Sequence, residues 1–137
     1  DYAEPSLLFG WALCFSMDGN ETEAREKYRR AILKNIYIGP LLLEEPEPPR
    51  GLWLPNDRAE PNYASEFLDS YAILWDREPG ALRLLREAWL ELQPRIREMI
   101  ALRERMNDLQ DQRYDPEYKT HWQKLVSQDE QFSEPEA

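Results

Sequence analysis

Histidine and cysteine are nearly absent: the 137-residue sequence has one of each, His121 and Cys14. A lone histidine removes most metal sites and most acid–base or nucleophile relays. A lone cysteine excludes an internal disulfide framework and fits a reducing compartment. The five glycines are scattered, with no GxGxxG or GxxxxGK run to cradle a phosphate. No apolar run approaches the length that spans a bilayer, and no stretch reads as a signal peptide. Basic residues are outnumbered, 17 against 27 acidic ones, and the net charge of −10 disfavours nucleic acid and anionic membrane surfaces as partners. No segment sustains the period-2 alternation of a strand. These absences predict an all-α, cytoplasmic, non-enzymatic chain with no cofactor and no metal. Asp1 in place of Met fits a processed chain or a fragment.

What is present is packing material. The chain is 42% hydrophobic and 12% aromatic, with five Trp and seven Tyr, enough for a single domain with a real core. Pro5 suits the first turn of a helix running to Met17, and Asp18-Gly19-Asn20 reads as a turn. Asn20 with Glu23 three positions later forms a capping pair for a second helix, Glu21 to Lys34. Leu8, Trp11, Ala12 and Phe15 fall on one helical stripe, and Ala24, Tyr28 and Ala31 on another. Small Ala12 and Ala24 let the backbones approach while Trp11, Phe15 and Tyr28 fill the space around them. Residues 5–35 thereby resemble one hairpin of a tetratricopeptide repeat, position by position.

Residues 36–61 read as a short helix opened by Pro40 and carrying Leu41, Leu42 and Leu43, then an irregular loop with five prolines. Leu52, Trp53 and Leu54 are its expected anchors. Residues 62–93 read as a second helical hairpin, with Ala64, Phe67, Leu68, Tyr71 and Trp75 before the Asp76–Gly80 break and Leu82, Leu85, Trp89 and Leu92 after it. Gly80 is expected to make the turn between the two, and Ala81 to leave room for Trp75. Pro94 restarts the chain into the C-terminal helices, residues 94–132. The charges along Arg95–Gln110, Arg103 among them, read as an exposed helix face. Asp115-Pro116-Glu117 suits a last helix start, and the acidic tail, residues 127–137, reads as disordered by composition, with continuation of the last helix or a neighbouring molecule as what would hold it.

A second resemblance covers Ala24 to Trp89. The pattern Ala31-x-x-x-Asn35-x-Tyr37-Ile38-x-x-x-Leu42-Leu43, then Ala64-x-x-Phe67, Trp75, Gly80-Ala81-Leu82-x-Leu84-Leu85 and Trp89, resembles the helical module of the suppressor of tumorigenicity seven family and of related bacterial proteins of unknown function. This chain departs from that pattern at Tyr63, where an acidic residue is common, and in having no membrane segment. The resemblance implies a tetratricopeptide-like short solenoid with a C-terminal helical extension, and little about cellular role.

In such a hairpin the first helix lines the concave face, which places Phe9, Leu13 and Met17 at the groove-facing offsets. Lys and Asn, which clamp a peptide carboxylate, are missing there, so an apolar helix or strand is the expected ligand. The later helices of the chain are the competing occupant. Trp53 is a candidate partner contact, with packing onto its own helices as the alternative. Arg25, Lys27, Arg29, Arg30 and Lys34 read as a solvated outer face rather than a phosphate site. Cys14 is expected to be a buried, inert thiol, and His121 half-exposed. Glu117 and His121, four apart, are too few to hold a metal. The expected function is a protein-binding scaffold or adaptor for a protein or peptide, with homo-oligomerisation left open. The alternative is an acidic, antitoxin-like inhibitor masking a basic surface.

Overall fold

The computed structural model describes residues 4–112 and 116–135. These residues form seven α-helices, and no strand occurs among them. The first two helices, α1 (Pro5–Met17) and α2 (Glu21–Lys34), have the bounds that the sequence predicts. Their turn is fixed locally. Gly19 takes a φ of 78°, and the Glu23 backbone N–H donates to Asn20 Oδ1 at 3.3 Å. Ala12, Ala24 and Ala31 are fully buried, and α1 and α2 make the most extensive helix pairing among the described residues.

The face that α1 buries differs from the expected stripe. Leu8, Phe9, Ala12 and Leu13 are buried, whereas Trp11 stays 39% exposed beside the Lys27 ammonium. Later helices reach the second side of α1 and claim Phe9 and Leu13. Cys14 is exposed, not buried, for the same reason: it lies on the side that neither α2 nor the later helices cover.

Asn35 ends α2 in an extended conformation and is itself buried. Its Oδ1 accepts from the Tyr37 N–H at 2.9 Å, and its Nδ2 donates to the carbonyls of Arg58 and Glu60 at 2.9 and 3.0 Å. One amide thus satisfies three backbone groups and draws the far end of the loop back to α2. The next helix, α3 (Ile38–Leu43), begins two residues before Pro40, which sits in its first turn where no N–H is needed. The proline-rich loop is ordered. Tyr37 Oη donates to the Pro49 carbonyl at 2.7 Å, and Asn107 Nδ2 to that of Gly51 at 2.7 Å. Leu52 is buried, and a 3-10 turn at Asp57–Ala59 leads into the next helix.

That helix, α4 (Pro61–Asp76), starts at Pro61 rather than after Asn62, and α5 (Pro79–Glu91) follows it. Gly80 lies inside α5, so Arg77 and Glu78 make the break instead. The two helices touch each other lightly: α4 packs on α3, and α5 on α1, α2 and α3. Trp89 of α5 rests against Gly39, where a Cβ would stand 3.4 Å from the indole. Phe67 and Trp75 of α4 turn instead toward Phe9, with ring centroids 5.7 and 6.3 Å away.

Leu92 ends α5 and begins α6 (Gln93–Gln110), which pairs with α7 (Tyr118–Phe132). Asp115, the expected cap of α7, lies outside the described residues. Arg103 is buried, not on a solvated face, and α7 runs through Ser127 to Phe132, as the C-terminal helices of residues 94–132 require, although the composition there reads as disordered. One contact explains both: Arg103 Nε and Nη2 donate to the two carboxylate oxygens of Asp129 at 2.8 and 3.3 Å.

Tyr28 sits at the centre of the core, where its hydroxyl accepts from Trp75 Nε1 at 2.9 Å. Burial pushes its pKa up to about 12, against opposing hydrogen bonds from Trp75 and Ser16. A group whose folded pKa lies above its unfolded value adds stability below the unfolded value and loses it as pH rises through the folded one. Stability should therefore hold up to about pH 10 and fall by on the order of 2–3 kcal/mol toward pH 12. Denaturant melts across that window measure this, and a Tyr28→Phe control should show a smaller decline, the remainder belonging to Tyr37, whose pKa burial also raises. An unchanged midpoint in the native chain would show that Tyr28 does not hold its proton.

Candidate docking groove

Helix α1 carries no charged side chain along its 13 residues. A helix that is apolar on every side belongs inside a protein. Here α2, α4 and α5 cover only part of it, and Leu7, Trp11 and Met17 are 44%, 39% and 61% exposed. Beside this bare side runs a groove of about 350 Å³ between α1 and α4. Leu7, Gly10 and Leu13 form one wall; Phe67, Tyr71, Leu74 and Trp75 form the floor and the other wall. Leu74 and Tyr71 are themselves exposed at its mouth.

Polar groups close one end. The Ser6 N–H donates to Tyr63 Oη at 3.1 Å, and the Tyr63 hydroxyl donates to Glu4 Oε1 at 3.3 Å. The floor is stiff because Phe67 lies between Phe9, Tyr71 and Trp75, with ring centroids 5.3–5.7 Å apart.

The four residues that the sequence nominates for partner contact fall in different places. Leu13 lines the groove, and Phe9 lies beneath it, fully buried against Tyr28, Phe67 and Trp75. Met17 is exposed one turn beyond Leu13. Trp53 is half-buried, edge-on to Trp122 at 5.6 Å, so its ring rests on the chain's own last helix. Gly10, Tyr71 and Leu74 are the lining residues that the sequence reading passes over. Gly10, a helix-weakening residue in the middle of an apolar run, is the signal that could have drawn attention to them.

The basic side chains of α2 are paired. Each of the five cations of α2 has a carboxylate within 4.0 Å: Arg25 with Glu21 and Glu87, Lys27 with Glu23 and Glu26, Arg29 with Glu91, Arg30 with Glu26, Lys34 with Glu134. The Arg25 guanidinium bonded to Glu87 holds that carboxyl below its ordinary range, and the bond to Glu21 raises Arg83. A polar cavity of about 530 Å³ lies where Lys34, Asn56, Arg103, Asp129 and Glu134 meet. Its Arg103–Asp129 and Lys34–Glu134 pairs answer each other, which suits a joint between helices. His121 is exposed beside Arg105 and Lys124 at a shallow cleft between α6 and α7.

Among the described residues no three His, Cys, Asp or Glu side chains gather in a metal-holding group, and no helix is long and apolar enough to cross a membrane. No protein-family model, curated protein or solved structure matches the chain.

Proposed function

We propose that this chain is a non-catalytic interaction module that takes a helix or peptide of another protein into the α1/α4 groove. The observation that carries this reading is the uncharged helix α1 with one long side left bare. Fully burying a Leu, Met or Phe side chain is worth roughly 1.5–3 kcal/mol, so covering Leu7, Leu74 and Met17 would supply useful affinity. The reading includes a tetratricopeptide-like role for the α1–α2 hairpin. The complete burial of Ala12, Ala24 and Tyr28 between bulkier neighbours supports that likeness. The alternative, an acidic inhibitor that masks a basic surface, draws on the net charge. Two of the tail carboxylates it would use, Asp129 and Glu134, are already engaged within the chain.

Selection from a displayed library of helix-forming peptides with apolar residues at i, i+3, i+4 and i+7 tests the reading. Selected peptides should bind Leu74→Glu at least about tenfold more weakly than the native chain, a loss of roughly 1.4 kcal/mol. The melting temperature should stay put, since Leu74 is exposed. Binding should weaken only mildly with salt, whereas masking of a basic surface would collapse. Peptides indifferent to Leu74→Glu would overturn the groove as the site.

A further inference from the structure

We infer that the cleft between α6 and α7 is a binding site, separate from the docking groove, for a small organic anion: one carboxylate on a compact apolar body. The charge of the cleft, its apolar lining and its size carry this.

The cleft has a volume of about 320 Å³ and is lined by Arg105 and Leu109 from α6 and by His121, Lys124, Leu125 and Gln128 from α7. Its ionisable lining residues are all bases, in a chain whose net charge is −10. The bases of α2 and α5 each stand within 4.0 Å of a carboxylate. Arg105, His121 and Lys124 have none at that distance among the described residues. Along the chain the same segregation is visible: residues 118–128 contain Lys119, His121 and Lys124 and no Asp or Glu. Bases in the opening turns of a helix oppose its macrodipole, so α7 gains no stability from Lys119 and His121. A basic rim that neither pairs within the chain nor helps its own helix is matched by an anion from outside.

The rest of the lining selects the kind of anion. Leu109 and Leu125, one from each helix, are half-buried and set apolar surface among the bases. The planar guanidinium of Arg105 suits both oxygens of a carboxylate, with the Lys124 ammonium as a point charge beside it. An inorganic anion would leave the leucines unused, and a neutral apolar molecule would leave the bases unused. Ligand cavities run to roughly 300–1,000 Å³, so this one is at the small end and suits a single ring or a short alkyl chain. An extended acidic segment of a protein would run past the rim onto a surface of its own sign and be repelled. A compact monoanion keeps its charge at the rim.

His121 is the only histidine, so its imidazole Cε1–H gives one proton resonance that reports on this cleft alone. Titrating the full chain at fixed pH with phenylacetate should move that resonance to saturation. Acetate and the neutral phenylethanol, each with half of the recognition, should bind at least about tenfold more weakly. Arg105→Gln and Lys124→Gln should each weaken phenylacetate by at least about threefold, and rising salt should weaken it further. Both side chains are exposed, so the melting temperature should not move. A resonance that phenylacetate leaves in place would overturn the site. Acetate binding as well as phenylacetate would overturn the apolar half of the recognition, and phenylethanol doing so would overturn the anionic half. A Glu-rich peptide with one central Phe that bound more tightly than phenylacetate would overturn the small ligand in favour of a protein segment. None of these outcomes bears on the α1/α4 groove, which Leu74→Glu tests by itself.

Discussion

Replacing Asp129 by alanine is expected to lower the unfolding free energy by about 3–5 kcal/mol, because it strands a buried guanidinium. Arg103 and Asp129 are 2% and 1% exposed, and the carboxylate takes two hydrogen bonds from Arg103. Asp129 is also the one fully buried residue of α7, whose Trp122, Leu125, Val126 and Phe132 are only half-covered. This pair is therefore the one fully buried polar tie between α6 and α7 among the described residues. Denaturant melts measure the loss, and hydrogen exchange in the variant should quicken first along α7. A change below about 1 kcal/mol would mean that water reaches Arg103. The double variant Arg103→Met with Asp129→Leu should recover most of the stability, since neither charge then has to be desolvated.

Phe9→Ala should cost a similar amount, about 3–5 kcal/mol, by emptying the space between three other rings. Phe9 touches Tyr28, Phe67 and Trp75 at centroid distances of 5.7–6.3 Å and is fully buried. Leu7→Ala, two residues away on the exposed side, should fall within about 0.5 kcal/mol. This contrast separates the floor of the groove from its mouth. If Phe9→Ala melted like the native chain, the aromatic cluster would not be the junction of α1 and α4. Any peptide binding lost in Phe9→Ala alone is then a stability effect, whereas loss in Leu74→Glu locates a contact.

Much of the helical layout was legible because its signals are local. Pro5, the Gly19 turn and the Asn20–Glu23 cap act within a few residues, and α1 and α2 have the bounds they suggest. The face of α1 was not legible. A helix apolar all round has no stripe to orient it, so the spacing that put Trp11 inside and Phe9 on the groove was reversed once α4 supplied partners for Phe9. Arg103 was hidden for a different reason. On paper it is one more charge in an i, i+4 series, and its partner lies 26 positions on, in a tail whose composition reads as solvated. The groove was partly legible: Leu13 pointed to it, but its opposite wall belongs to α4, and no spacing along one helix reveals which other helix will stand across from it.

The tied-down loop has a mechanical consequence. Leu92 alone separates α5 from α6, the kind of joint about which two halves of a molecule could swing. The stretch from Glu45 to Glu60 bridges that joint from outside, fastened to α2 by Asn35 at one end and to α6 by Asn107 in its middle. Prolines at 46, 48, 49 and 55 fix φ along the span, so it has few shapes to lose on fastening. It acts as a brace, holding the C-terminal pair at a set angle to the first hairpin.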